Sequence, residues 1–346
     1  MKRQLKILSV IDIPWNSGLA AYAFDQARAL REAGHAVIFA CPAGSAAQDF
    51  AAANGFKAYE IPGRKEHHKV PLALLRLRGI AKDEAVDVVA AHTGRAQTLA
   101  FLLGLPLVRV KADAKRPSAG FTFGSIKKVI AASAYIRDLY LKAGLDPARI
   151  TVIPQGIDLP PPVERQARPP YRVGLLGRLD LVKGHDCFLR AAADLLRGGA
   201  IAEFHIAGYE ANLKYAELRR AAADLGITEK VFFHGRTEGP FGFMSLCDIG
   251  VIPSLGSEAV SRAALEWLAA GRPVVASSVG SLPEYVREPW LFPAGDAAAL
   301  SLRLAPLLAD RALIKKTGDE NRARAAGEFS REGFAAATVQ IFEEAA

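Results

Sequence analysis

Cysteine is scarce in this chain: three residues in 346, Cys41, Cys187 and Cys247, set far apart. Such spacing supplies neither a metal-binding pattern nor a disulfide framework, and it fits a reducing compartment. Long apolar runs are also missing, and nothing approaches the length of a membrane-spanning helix. The opening MKRQLKILSVIDIP starts like a leader, but its apolar run is short and meets Asp12, so it reads as a first β-strand. Two nucleotide loops are absent. No G-x-x-x-x-G-K-[ST] appears, which argues against a nucleotide-hydrolysing loop. No G-x-G-x-x-G follows a strand, which argues against a nicotinamide oxidoreductase. No pair of aspartates has an obvious metal-binding spacing. These absences predict a protein with no resident metal or cofactor, in the cytoplasm, soluble or peripheral at the inner face of a membrane.

Apolar residues make up 51% of the chain, so a sizeable core is expected and disorder is not. The length exceeds a single ordinary core, which predicts two domains. The net charge of +8 is unevenly placed. Residues 1–163 carry 22 Lys and Arg against 13 Asp and Glu, whereas residues 164–346 carry 22 against 23. A basic first half fits an ordinary solvated surface, and it equally fits a domain that approaches an anionic partner.

Short apolar runs alternate with helical stretches. LKILSVI, HAVIFA, VDVVAAH, LPLVRV and KKVIAAS read as strands of the first half. GLAAYAFDQARALREAG has helical spacing and ends at Gly34, a natural C-terminal stop. A proline-rich break, IDLPPPVERQARPP, suits neither a helix nor a central strand. After it the pattern restarts with YRVGLLGRL, AEFHIAGY, KVFFHG, DIGVIPS and PVVASSV as strands, separated by helices such as GHDCFLRAAADLLRGG. The division is 1–160, a linker 161–170, 171–328, and a last helix 329–346. This grammar predicts an α/β protein of two doubly wound, Rossmann-like domains facing each other across a cleft. Parallel sheets of that kind bind ligands beyond the carboxyl ends of their strands.

Two stretches carry candidate chemistry. In SEAVSRAALEWLAAGRPVVASS, Glu258 falls in a loop after a strand and the helix is expected to begin near Ala259 to Ser261. Glu266 then lies about 12 Å further along the axis and about 80° around it, a separation suited to the two ends of a long ligand. Free amides at the helix start suit phosphate oxygens. Arg262 at that end is explained if an anion offsets it. The second stretch is GLLGRLDLVKGHD, where Gly177 ends a strand, Arg178 follows, and Lys183-Gly184 opens the next helix. Two cations on a Gly-rich turn can clamp a diphosphate. Taken singly, each stretch also reads as plain structure: an exposed helix with scattered charges, and an ordinary strand-to-helix turn.

Together they resemble the retaining nucleotide-sugar glycosyltransferases of family 4, in the group 1 class, which have the two-domain GT-B fold. The likeness covers nearly the whole chain. The family's G-R-…-K-G turn is matched at Gly177, Arg178 and Lys183, and its Glu-x7-Glu motif at Glu258 and Glu266. AAGRPVVASSVGSLPEYV, VIPQGID and IAGYE…VFFHGRTE look like its continuation. The resemblance implies that Arg178 and Lys183 bind the donor diphosphate, Glu258 the transferred sugar and Glu266 the ribose. Backbone near Val260, Ser261 and Arg262 would hold phosphates, with Gly208 and Arg236 lining the donor site. Two departures stand out. Many members read E-G-F-G where this chain has Glu258-Ala259-Val260-Ser261. Many also carry a histidine after the strand matched by PLVRV; here the chain reads KADAKRP, and Asp113, the nearest acid, is the candidate for that catalytic role beside Arg178, Lys183 and Glu258.

In the first domain, Gly18 in DIPWNSGLAAY lets backbone approach a ligand. The family uses this loop near donor phosphates and acceptor. Asn16 is a candidate there, or an N-cap or turn residue. His92 is a candidate pocket residue or a buried structural one, and Asp113 a candidate acceptor-side acid or a salt-bridge partner of Lys111 or Arg116. Arg64 to Lys82 reads either as a basic helix for an anionic membrane or as a surface helix packing its leucines inward. The last segment is expected to pack back on the first domain. The implied activity is metal-independent transfer of a hexosyl or heptosyl group, with retention, from a nucleotide-diphosphate sugar to a glycan or lipid-linked hydroxyl, as in lipopolysaccharide or other envelope synthesis. No nucleic-acid partner is expected. A GT-B nucleotide-sugar epimerase and a non-catalytic binder of anionic glycan or membrane are the alternatives.

Overall fold

The computed structural model describes residues 3–117, 120–163, 167–256 and 258–346. It divides into two compact units, Met1–Gly156 with Arg331–Ala346, and Ile157–Ser330.

The first unit runs β1 (Lys6–Val10), α1 (Gly18–Glu32), β2 (Ala36–Cys41), α2 (Ala46–Asn54), β3 (Lys57–Glu60), α3 (Val70–Asp83), β4 (Val88–Ala91), α4 (Gly94–Leu103), β5 (Leu107–Lys111), β6 (Lys128–Ala131), α5 (Ala134–Lys142) and β7 (Ile150–Val152). Its sheet has the order β3-β2-β1-β4-β5-β6-β7, all parallel. The expected five strands are there. Two more, KAYE and ITV, lie at the sheet's edges; both are short and neither is a continuous apolar run. Central strands such as VVAA are buried throughout, which is why they read as unbroken apolar runs. Helix starts are set locally: Ser17, Ser45, Thr93 and Ser133 each accept a bond from a first-turn amide. Ser17, not Asn16, caps α1. Gly34 follows that helix at φ 90°, the left-handed stop its position suggested.

The second unit runs β8 (Tyr171–Leu176), α6 (His185–Arg197), β9 (Ala202–Ala207), α7 (Tyr215–Asp224), β10 (Val231–Phe233), α8 (Pro240–Leu246), β11 (Ile249–Ile252), α9 (Arg262–Ala269), β12 (Val274–Ser277), α10 (Leu282–Tyr285), β13 (Leu291–Phe292), α11 (Ala297–Ala309) and α12 (Arg311–Glu328). The strand order is β10-β9-β8-β11-β12-β13, again parallel. Gly174 and Gly250 make room in this sheet: a Cβ at Gly250 would lie 2.4 Å from the fully buried Trp267 ring.

The final helix, α13 (Arg331–Ala345), belongs to the first unit. Phe334 meets Tyr22 of α1 edge to face at 5.3 Å, and Phe342 is fully buried. Burying such rings contributes about 2 kcal/mol each. The proline-rich stretch is not a free tether over its described part. The Ile157 amide donates to Phe329 O at 2.9 Å, and Arg322 donates to Pro160 O at 2.7 Å, so the contact boundary falls at 156/157 instead of 160/161. Glu164, Arg165 and Gln166 of that linker lie outside the described residues.

The Arg64–Lys82 stretch is a 3-10 turn at His67–Lys69 and becomes α-helical from Val70. Ala73, Leu77 and Ile80 turn into the core, while Leu72 and Leu75 stay exposed. Among the described residues no helix is long and apolar enough to cross a membrane. The three cysteines are buried, and none forms a disulfide among the described residues.

Candidate functional site

In the second unit the strand order reverses between β8 and β11. Crevices at such switch points are where doubly wound sheets take ligands. Arg178 follows β8 by two residues, and Glu258 comes in the segment after β11.

Asp180 organises the first turn. One carboxylate oxygen accepts from the Val182 amide at 3.2 Å; the other accepts from Arg178 Nη2 at 2.9 Å and Asn212 Nδ2 at 3.1 Å. The Lys183 amide closes the turn on Asp180 O at 2.9 Å. The Leu255 amide donates to Val182 O at 2.7 Å, tying this turn to the chain leaving β11. Lys183 Nζ thereby reaches Glu258 Oε1 at 2.5 Å, and Ser254 Oγ donates to the same oxygen at 2.6 Å. Glu258 is 4% exposed. Its backbone is fixed from behind: the Ser281 amide donates to Glu258 O at 2.7 Å, and a Cβ at Gly280, φ 57°, would fall 2.0 Å from that oxygen. Only glycine allows this approach.

Helix α9 starts later than expected, at Arg262, so Ala259 and Val260 precede the cap residue, Ser261. Glu258 therefore stands four residues before the first helical position. Its direction is set by the Ser254, Lys183 and Gly280 contacts, and the expected 80° projection does not apply. Ser261 occupies the N-cap, yet its Oγ is buried and makes no hydrogen bond among the described residues. The first amides of α9 thus lack the side-chain cap that α1, α2, α4 and α5 receive. Arg262 Nε bonds Glu266 Oε1 at 2.9 Å. The cation at the helix start is offset by the acid one turn on, without an external anion. Burial raises the Glu266 carboxyl above its ordinary range, against the pull of Arg262.

Gly177 and Gly208 lie back to back, the Gly208 Cα against the Gly177 carbonyl. The Gly208 amide donates to Gly235 O at 2.8 Å, which sets the exposed Arg236 just beyond the same carboxyl edge. The structure therefore links Arg178, Lys183 and Glu258 through continuous bonds and pairs Glu266 with Arg262.

In the first unit, Asn16 is exposed and Gly18 opens α1 with open space where a Cβ would stand. His92 is 1% exposed, bonds Ser9 Oγ at 3.0 Å, and is held down to about 3 by burial and then by Arg109, so it is neutral. Asp113 pairs with Lys111 and accepts from the Lys115 amide at 2.8 Å. Sequence reasoning missed Asp180, Ser254 and Asn212. Asp180 had a signal, lying between the two cations of one turn; Ser254 and Asn212 had none.

Two doubly wound parallel units, with cations, acids and an uncapped helix start at the second switch point, are the architecture of the GT-B glycosyltransferases. The model of "Glycosyl transferases group 1" matches residues 170–310, and that of "Glycosyltransferase Family 4" matches residues 16–160. The chain belongs to this family 4, group 1 class of glycosyltransferases. It is 27% identical over 282 residues to the MMP alpha-(1->4)-mannosyltransferase of Mycolicibacterium hassiacum, covering 80% of this chain and 66% of that one. It is 30% identical over 262 residues to the D-inositol 3-phosphate glycosyltransferase of Acidothermus cellulolyticus, covering 62% and 57%. The matched stretches thus span less than two thirds of these relatives' lengths. In structure it is similar to Anabaena Alr3699/HepE in complex with UDP, with a TM-score of 0.82, 18% identity, and coverage of 99% and 100%.

Proposed function

We propose that the protein is a retaining, metal-independent glycosyltransferase that moves a hexosyl or heptosyl group from a nucleotide-diphosphate sugar to a hydroxyl of a glycan or lipid-linked acceptor in envelope synthesis. The observation that carries this reading is the bonded series Arg178–Asp180–turn–Lys183–Glu258 at the β8/β11 switch. The UDP in the HepE structure and the sugar transfer named for the mannosyl relative support it.

On this reading donor binding is an exchange of partners. The diphosphate takes Arg178 from Asp180 and Lys183 from Glu258, and the α9 amides with Ser261 Oγ receive a phosphate. Glu258, released but still held by Ser254, turns to sugar hydroxyls, and Glu266 to the ribose. The bond from the anomeric carbon to the phosphate oxygen then breaks, and the acceptor oxygen bonds to that carbon on the same face. The acceptor proton passes to the departing phosphate oxygen. Asp113 is already engaged by Lys111, which favours that route over Asp113 as base. Charge growing on the diphosphate is met by the two cations in place of a metal.

The test begins with a thermal-shift screen of UDP-, GDP- and ADP-sugars, since a ligand that favours the native state raises the melting point. Transfer is then followed by mass spectrometry with the stabilising donor, with and without a chelator. Arg178→Ala and Lys183→Ala should each lower turnover by about 10²–10³, as loss of one charge-stabilising donor does. Near-normal turnover in both variants would refute the assignment, and isomerised donor without acceptor would mark an epimerase. The exposed Leu72 and Leu75 beside Arg76 and Arg78 support peripheral contact with an anionic membrane. Salt-sensitive pelleting with anionic vesicles, weakened by Leu75→Glu, checks it.

A further inference from the structure

The second unit holds a cavity of about 440 Å³ away from the switch point. The segment entering β13 borders it, with α11 and α12. Strand β13 runs parallel to its neighbours, so residues just before Leu291 lie at the amino end of the sheet, opposite the carboxyl edge that bears Arg178 and Glu258. Small-molecule sites run from about 300 to 1,000 Å³, which makes this one suitable for a ligand of one or two rings. The half-buried Trp290 forms part of the wall, with Pro289 beside it. One face of α12 supplies Leu313, Lys316, Thr317 and Glu320, at spacings of three, four and seven residues. Lys315 and Asp319, next to them on that helix, close into an i,i+4 ion pair at 2.6 Å. Lys316 and Glu320 have the same spacing but border the cavity, and neither makes an ion pair among the described residues. Glu288 on the opposite wall is likewise unpaired among the described residues. Arg303 Nε donates to Leu291 O at 2.9 Å, which fixes its guanidinium at the wall. Pro306, inside α11, has no N–H, so the Leu302 carbonyl four residues back loses its helical donor, and both residues line the cavity. Two acids, two cations and a freed carbonyl thus border one hollow with no net charge.

We infer that this cavity is a second saccharide site, taking one neutral pyranose unit apart from the donor crevice. An anion would meet Glu288 and Glu320, and a cation would meet Arg303 and Lys316, so the balanced rim favours an uncharged ligand rich in hydroxyls. Hydroxyls both donate and accept, and the rim offers them carboxylates and a carbonyl on one side of that exchange, an ammonium and a guanidinium on the other. The indole of Trp290, with its negative face, suits the C–H face of a sugar ring. A unit held here does not react; it raises the local concentration of the rest of its glycan. That use rests on the glycosyl-transfer reading, whereas the binding itself does not.

The probes are the methyl α-D-pyranosides of glucose, mannose and galactose, titrated into the full chain and followed by saturation-transfer NMR. At least one should bind with a Kd on the order of 1 mM. Lys316→Ala and Glu320→Ala alter only exposed side chains and should each weaken that binding about fivefold, the worth of one hydrogen bond. Trp290→Ala should weaken it about tenfold. Trp290 also packs against the core, so the two exposed variants carry the test should that variant not fold. Absence of binding for all three glycosides, or binding unaltered in both exposed variants, overturns the inference. Glycoside binding abolished by Arg178→Ala with Lys183→Ala would put the sugar at the switch point and overturns it as well. A Lys316-dependent preference for glucose 6-phosphate over the methyl glucoside would overturn the neutral-sugar assignment. Failure of the donor reading shows differently: nucleotide-sugar affinity would survive Arg178→Ala and Lys183→Ala, while glycoside binding kept its dependence on Lys316 and Glu320.

Discussion

In the second unit three cations of the candidate site each have an acid of their own: Arg178 has Asp180, Lys183 has Glu258 and Arg262 has Glu266. In the first unit only Lys111 pairs with Asp113, the one acid between residues 109 and 116, where Arg109, Lys115 and Arg116 also lie. The difference follows the charge of the two halves, one strongly basic and one balanced. It shows two ways of keeping cations in a fold: the second unit orients three of them by internal acids, whereas the first sets several near a single carboxylate. On the proposed reading, a diphosphate entering the second unit would have to displace those acids, and that exchange is what the variants below test.

The largest effect that separates the two arrangements is expected at Lys183. Lys183→Ala should remove a donor contact and also leave Glu258 buried beside Ser254 alone. Breaking a buried pair on one side destabilises by about 3 kcal/mol. The double variant Lys183→Ala with Glu258→Gln should recover most of that stability and none of the turnover. Urea unfolding beside single-turnover kinetics reads both. If the double variant is as unstable as the single one, the pair is not what orients Glu258.

The next effect lies at Lys111 and has the opposite sign. Its folded value is about 8, against an ordinary 10.5, because burial outweighs Asp113. A cation lowered on folding is charged in both states below pH 8, and there the burial penalty is complete. Between pH 8 and 10.5 the unfolded chain binds more protons, so stability should rise with pH. Lys111→Met removes the penalised charge and should stabilise the protein by about 1 kcal/mol at pH 7. The gain should shrink toward pH 10. Melting temperatures of both proteins across that range check it, and a gain that does not depend on pH would contradict the burial of an excess charge.

These two positions also show what could be read from residues alone. Lys183 and Glu258 were legible because a Gly-rich turn after an apolar strand and an acid after another strand are local patterns, and a parallel sheet brings such strand ends to one edge. That they would touch was not legible, since it depends on the Leu255–Val182 bond and on Gly280 admitting the Glu258 carbonyl. The Lys111–Asp113 pair was legible from their closeness in sequence, but the depth of Arg109 and Lys111 was not, because a charged residue at every second strand position ordinarily faces solvent. In the structure both faces are covered. The strands KAYE, ITV and LF escaped for a related reason: at two to four residues they carry too little pattern. The start of α9 was placed early because Ala259 and Val260 suit a helix as well as a loop, and Ser261 then proved to be the cap position.

The smallest expected effect compares two serines at helix starts. Ser45 accepts the Gln48 amide at 3.3 Å and caps α2 in the first unit. Ser45→Ala should therefore lower stability by about 1 kcal/mol. Ser261 stands at the same position of α9, buried to 2% exposure, but its hydroxyl is bonded to nothing among the described residues. Ser261→Ala should change stability by less than about 0.5 kcal/mol, because no bond is lost and an unsatisfied hydroxyl leaves the interior. Donor affinity should fall instead, by about tenfold, if that hydroxyl serves a phosphate. The two readings cross: a structural serine costs stability and spares binding, whereas a binding serine does the reverse. Chemical denaturation and donor titration of the same two variants decide between them, and a Ser261 variant that loses stability while keeping donor affinity would return α9 to the ranks of ordinary capped helices.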